Sequence, residues 1–182
     1  QKMSKSLGNS FLPSELITGT HELLDKPYSP MTVRFFMLQS HYASTLDFSN
    51  EALSAANKGY KKLMNGLKLI KEMKFVPEEG VALNQQAVDQ INGLADNCYR
   101  AMNDDFNTAL TIGHLFNLLK KINSLQTGGL KYGEIGQEGF DKLKSTYLSF
   151  VEEILGLKEE LAVEPKNLIG ILLTLYKEAK EA

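Results

Sequence analysis

The sequence has few cysteines and few histidines, and their scarcity excludes several kinds of chemistry. A single cysteine, Cys98, rules out a disulfide bond within the chain. The three histidines, His21, His41 and His114, are far apart in the sequence, and none has a nucleophile beside it. We therefore expect neither a hydrolytic triad nor a zinc site of Cys/His spacing. A reducing cytoplasm suits such a chain.

A charge excess and a long apolar run are also missing. The formal net charge is -2, so RNA contact would have to come from a local basic patch. No apolar run approaches the roughly 18 residues of a membrane span, and we expect a soluble protein without membrane contact. The 182 residues suit one domain, or one domain with a short appendage. Because the chain begins at Gln1, with neither an initiator methionine nor a secretory signal, we expect a fragment of a longer protein.

Apolar residues recur at helical spacing through most of the chain and predict an all-α fold. Pro13 opens a short helix that ends near Gly19. Ser29 and Pro30 begin a second, strongly apolar helix. Arg34 lies within it, and we expect its guanidinium group to reach a carboxylate or the surface rather than a substrate.

A third, long helix is predicted from residue 50 to about residue 74, with Ser49 as its N-cap. Its apolar residues gather on one face. The other face carries four lysines, which are Lys58, Lys61, Lys62 and Lys68. Two interpretations stay open, because such a face is either a solvated surface or a contact for an RNA backbone.

The second half of the chain continues the helical pattern. Cys98 falls on an apolar face, which indicates a small buried side chain rather than a reactive thiol. Asp104 and Asp105 lie in a joint between two helices, where capping and turn formation explain them better than a metal or acid/base pair. The glycine-rich residues 126–139 are expected to form a mobile surface loop. Further helices are predicted over residues 140–155 and 168–181.

The first residues of the chain carry the clearest chemical signal. Residues 2–6 read Lys-Met-Ser-Lys-Ser and are followed by Leu-Gly-Asn, a short basic loop whose charges and hydroxyls suit a polyphosphate. The string matches the KMSKS signature of class I aminoacyl-tRNA synthetases. By this resemblance Lys5 stabilises charge that develops on the ATP phosphates and Lys2 supports it. Ser4 and Ser6 would offer hydroxyl groups to the phosphates.

Two further stretches resemble one family of these enzymes, the cysteinyl-tRNA synthetases. Residues 34–42 read Arg-Phe-Phe-Met-Leu-Gln-Ser-His-Tyr and, with residues 46–49, are similar to the segment after the KMSKS loop in that family. Residues 101–110 read Ala-Met-Asn-Asp-Asp-Phe-Asn-Thr-Ala-Leu and resemble the joint inside its DALR-type helical bundle. Order and spacing agree over most of the chain.

The resemblance implies three parts. Residues 1–9 would be the KMSKS loop, at the edge of a Rossmann catalytic domain that lies outside the fragment. Residues 10–46 would form a stem-contact region. Residues 47–182 would form an antiparallel, DALR-type helical bundle of the anticodon-binding type, truncated at its C-terminal end.

The resemblance to cysteinyl-tRNA synthetases also implies an activity, cofactors and partners. The family uses ATP with Mg²⁺ to form cysteinyl-adenylate and then transfers cysteine to tRNA(Cys). Its Zn²⁺ ligands and its HIGH-type ATP motif lie upstream of the KMSKS loop, so this fragment should hold no metal and be inactive alone. We expect the full-length enzyme to be cytoplasmic and monomeric.

Two alternatives stay open. A cysteine ligase of mycothiol synthesis shares the KMSKS loop, cysteine and ATP, but joins cysteine to an amino sugar. A non-enzymatic helical interaction module could carry the KMSKS string by accident. The extended match from residue 34 to residue 105 argues against an accident.

Overall fold

The structure, a computed structural model, describes residues 10–46 and 48–160. Within these ranges the regular elements are helices and no strand occurs, which confirms the all-α prediction. The KMSKS loop and the helix expected over residues 168–181 lie outside the described residues. The helices are α1 (Pro13–Thr18), α2 (Pro30–Leu38), α3 (Asn50–Glu72), α4 (Gln85–Asn103), α5 (Thr108–Gln126) and α6 (Tyr132–Leu148), the last continued by a π-helical segment (Ser149–Ile154).

The helices begin and end at the residues whose chemistry favours those positions. The Ser29 hydroxyl accepts a hydrogen bond from the backbone N–H of Thr32 at 3.2 Å, and the Ser49 hydroxyl accepts one from Ala52 at 3.2 Å. Both bonds satisfy a backbone donor that the first helical turn leaves free. Gly19 ends α1 with φ 71°, a left-handed conformation that favours glycine. All three predicted boundaries are confirmed.

Helix α3 lies at the centre of the packing. Its apolar face, with Leu53, Leu63 and Ile70 fully buried, contacts α2, α5 and α6. Helices α4 and α5 pack on each other across the joint at residues 104–107 and therefore run antiparallel. None of the helices in the described ranges is long and apolar enough to cross a membrane.

The prediction of a mobile loop over residues 126–139 is wrong for most of that stretch. Residues 127–131 form a short connection, and the glycines that follow lie inside α6. A Cβ atom at Gly133 would lie 2.8 Å from the Cβ of Val81, so its glycine lets the segment before α4 approach the helix closely. Gly136, at φ 65°, bends α6 near its start. Sequence alone does not separate packing glycines from loop glycines.

Arg34 joins α2 to the far end of the bundle. Its Nε donates a hydrogen bond to the backbone carbonyl of Leu155 at 2.9 Å, and its guanidinium lies against Gly156. The expected partner was a carboxylate or solvent, and the observed one is a carbonyl left free at a helix end. This contact ties together parts of the chain that are distant in sequence.

Candidate nucleic-acid interface

The predicted ATP-loop residues, Lys2, Ser4, Lys5 and Ser6, lie outside the described residues. Their roles stay predictions. The four lysines of α3 predicted as RNA contacts, Lys58, Lys61, Lys62 and Lys68, are all described, and all four are exposed. Lys58 and Lys62 line one groove, and Lys61 lines a neighbouring groove that shares Asn65 with the first, so the four do not share one environment.

Lys58 and Lys62 line a groove between α3 and α5 with a volume of about 890 Å³. Lys120 of α5 lines the same groove, and Phe116 and Leu119 contribute apolar surface to it. Amide side chains complete the polar lining, namely Gln39, Asn65 and Asn123. Within the described ranges, no aspartate or glutamate lines this groove.

A second groove, of about 620 Å³, lies between α4 and α5 and shares Lys120 with the first. Lys121 also lines it and donates a hydrogen bond to Gln90 at 2.6 Å, while Lys120 donates one to Asn117 at 3.1 Å. Both acceptors are neutral amide oxygens, so these hydrogen bonds do not compensate the positive charge of either lysine. The groove is likewise lined without a carboxylate from the part of the chain that is described.

We refer to Lys58, Lys62, Lys120 and Lys121 as the lysine surface. The pattern of α3 indicated the first two, but no prediction from the sequence included the two on α5. The adjacent lysines in the sequence of α5 were the available signal. Only the packing of α5 against α3 brings Lys120 into the groove with Lys58 and Lys62, and Lys121 follows it in the sequence.

A neighbouring part of the α3 surface, which we call the acidic side, faces the segment 158–160. Lys68 forms an ion pair with Glu159, and Lys61 lines a groove of about 920 Å³ with Glu159 and Glu160. Glu160 accepts a hydrogen bond from the backbone N–H of Met31 at 2.9 Å, which fixes the segment to the start of α2. The two lysines of this side therefore have acidic neighbours.

Tyr60 reports on the electrostatics of the acidic side. Its hydroxyl donates a hydrogen bond to the carbonyl of Lys158. Burial, followed by the charge of Glu160, raises the pKa of Tyr60 to about 12. An acidic field on this side opposes ionisation of the phenol.

The joint between α4 and α5 contacts the loop after α2. Asp105 (φ 55°) and Phe106 (φ 52°) are left-handed, a conformation that costs about 1–2 kcal/mol per residue. Tyr42 donates a hydrogen bond to the Asp105 carboxylate at 2.7 Å, and this bond raises the pKa of Tyr42. Asn107 caps α5 by accepting from the N–H of Leu110 at 3.0 Å.

The turn interpretation of the joint is therefore confirmed, with Asp105 additionally bonded to a neighbouring loop. No group of three metal-ligating side chains occurs in the described ranges. Cys98 is fully buried, and burial raises its pKa to about 12, as expected of a packing residue.

Two families match the chain. One, described as the tRNA synthetases class I (C) catalytic domain, matches residues 1–58. The other, described as the DALR domain, matches residues 97–159. The first range contains the KMSKS string, α1 and α2, and the second contains α5, α6 and the acidic joint.

The chain is also similar to curated proteins named cysteine–tRNA ligase. It is 51% identical to the one from Cytophaga hutchinsonii over 184 aligned residues, covering 100% of this chain and 36% of that protein. The protein from Phocaeicola vulgatus is 45% identical over 89% of the chain and 31% of its own length. The protein from Parabacteroides distasonis is 38% identical over 99% of the chain and 36% of its own length. The chain spans about a third of the length of these relatives.

Proposed function

Because the chain belongs to the cysteine–tRNA ligase family, we propose that the longer protein containing it uses ATP to form cysteinyl-adenylate and transfers the cysteine to tRNA(Cys). One observation carries this proposal. The similarity covers the whole chain at 51% identity, and within the chain the match to a synthetase catalytic domain precedes the match to a DALR domain.

The chain contributes to this reaction at its first residues. In the proposal, Lys5 places its ammonium group against the ATP phosphates as charge develops there, and Lys2 supports it. Ser4 and Ser6 donate hydroxyl hydrogen bonds to the same phosphates. A short, glycine-ended loop suits this task because it can close over the nucleotide after binding.

The described helices contribute position rather than chemistry. Residues 10–46 form the proposed stem-contact region and residues 47–182 the helical bundle that orients the tRNA. Arg34 bonded to Leu155, and Tyr42 bonded to Asp105, tie the two regions to each other. These contacts support a bundle held at a fixed orientation relative to the stem-contact region.

Metal ions enter the proposal only as cofactors of the longer protein. Mg²⁺ would accompany ATP, and Zn²⁺ would be held by residues upstream of this chain. We also propose that the longer protein acts as a monomer in the cytoplasm. The two alternatives, a cysteine ligase of mycothiol synthesis and a non-enzymatic module, have no observation in their favour, and the named relatives are tRNA ligases.

The proposal is tested by Lys5→Ala in the full-length protein. Since Lys5 acts on the transition state, cysteine-dependent ATP–pyrophosphate exchange should fall by about two orders of magnitude or more, while cysteine binding changes little. Lys26→Ala, at a lysine near the end of the connection between α1 and α2, is the matched control and should leave exchange intact. Unchanged exchange in Lys5→Ala would overturn the role of the loop. Charging of an amino sugar instead of tRNA by the parent protein would overturn the proposed substrate.

A further inference from the structure

Four lysines of the bundle line two grooves without a carboxylate from the described ranges, even though the chain as a whole carries a net charge of -2. The lysine surface gathers four ammonium groups from α3 and α5 around two adjoining grooves. On the acidic side, Lys61 lines a groove with Glu159 and Glu160, and Lys68 pairs with Glu159. A polyanion that approaches this bundle is attracted to the lysine surface and repelled by the carboxylates of the acidic side.

The neutral groups of the lysine surface suit a nucleic acid in particular. Its grooves carry amide side chains, which can donate to phosphate oxygens and exchange hydrogen bonds with ribose hydroxyls. Asn65 and Asn123 lie at the α3–α5 groove, and Gln90 and Asn97 at the α4–α5 groove. Phosphate contacts of this kind position an RNA without reading its sequence.

The spacing of the lysines suits a repeating row of charges. Lys58 and Lys62 are four residues apart on one helix, which places their Cβ atoms about 6 Å from each other. Lys120 lies across the groove on α5, and Lys121 extends the row to the α4 side. The four charges thus lie on two helices, α3 and α5, instead of following one.

We propose that the sugar–phosphate backbone of the tRNA crosses the lysine surface, over the α3–α5 and α4–α5 grooves, and does not contact the acidic side. This inference rests on the proposed function. It divides the four lysines predicted from the sequence into two contacts, Lys58 and Lys62, and two non-contacts, Lys61 and Lys68. It adds Lys120 and Lys121 as contacts.

The test compares two double variants of the full-length protein. Lys58→Gln/Lys62→Gln and Lys61→Gln/Lys68→Gln alter the same helix, remove the same charge and use the same substitution at exposed positions. The Michaelis constant for tRNA and its dependence on salt concentration are measured for each. Lys120→Gln/Lys121→Gln is measured in the same way.

Lys58→Gln/Lys62→Gln and Lys120→Gln/Lys121→Gln should each raise the Michaelis constant for tRNA roughly tenfold. Each should also lower the salt slope, the change in the logarithm of tRNA affinity with the logarithm of salt concentration, by about 1.5 in magnitude, because each lost phosphate contact lowers it by about 0.7–0.9. Lys61→Gln/Lys68→Gln should remain near the parent protein in both quantities. Equal effects of the first two variants, or no effect of the first, would overturn the inference.

Cysteine-dependent ATP–pyrophosphate exchange separates this outcome from failure of the proposed function. Exchange does not require tRNA and should be unchanged in all three variants. A parent protein without exchange would overturn the proposed function itself. A parent with normal exchange, whose tRNA binding is insensitive to the lysine surface, would overturn the present inference alone.

Discussion

On one side of α3, Lys58 and Lys62 face α5 across a groove lined by amides and apolar side chains. On the acidic side of the same helix, Lys68 pairs with Glu159, and Lys61 shares a groove with Glu159 and Glu160. The four side chains are chemically identical, and all four are exposed to solvent. Their neighbours decide whether the charge is available to a partner, so counting lysines on an amphipathic helix does not locate a polyanion site.

The largest effect is expected from a change that separates α3 from α5. A Cβ atom at Gly66 would overlap Cδ1 of Leu119 and lie 2.8 Å from the hydroxyl of Tyr147, which itself donates a hydrogen bond to the carbonyl of Leu63. Gly66→Ala should therefore lower the free energy of unfolding by about 1–3 kcal/mol. Denaturant unfolding measures this change.

The control for Gly66→Ala is another glycine inside a helix. Gly113, in α5, has nothing within 4 Å of an added Cβ atom, so Gly113→Ala should raise the free energy of unfolding by about 0.5–1 kcal/mol. If both substitutions stabilise the protein, close packing at Gly66 does not set the α3–α5 groove.

An intermediate effect is expected from alkali, and it concerns the acidic side. The pKa of Tyr60 is raised from 10.0 to about 12 in the folded state, so the folded protein holds the phenolic proton more tightly than the unfolded chain does. The associated stability is present below pH 10 and is lost as the pH rises towards 12. Cys98, raised from 9.0 to about 12, acts in the same direction from pH 9 upward.

Tyr60→Phe isolates the contribution of the acidic side. Its free energy of unfolding should fall less steeply than that of the parent between pH 10 and pH 12, since one of the linked protons is removed. Glu160→Gln should lower the pKa of Tyr60, because it removes the negative carboxylate charge that raises this pKa. The absorbance of the tyrosinate measures the shift. Identical pH dependence of Tyr60→Phe and the parent would contradict the assignment.

The smallest effect is expected from releasing Lys68. Glu159→Gln breaks an exposed ion pair, which should change the free energy of unfolding by less than about 0.5 kcal/mol. The dependence of tRNA binding on salt concentration should equal that of the parent, since Lys68 remains on the acidic side, outside the two grooves of the lysine surface. Glu138→Gln, at another exposed glutamate, controls for the change in net charge. A steeper slope in Glu159→Gln alone would show that pairing, and not position, keeps Lys68 from RNA.

The sequence determined the features that depend on neighbours within a helical turn. Ser29 and Ser49 cap their helices because a hydroxyl there meets a backbone N–H three residues later. The apolar face of α3 and the burial of Cys98 follow from helical periodicity. The KMSKS string indicated the family without any knowledge of packing.

The tertiary structure decided everything that depends on residues far apart in the chain. The packing placed Gly133 inside α6 and against Val81, where the glycine-rich composition had indicated a loop. It gave Arg34 a backbone carbonyl as partner. It also divided the lysines of α3, because the helix beside Lys58 and the carboxylate beside Lys68 come from distant segments that only packing brings near.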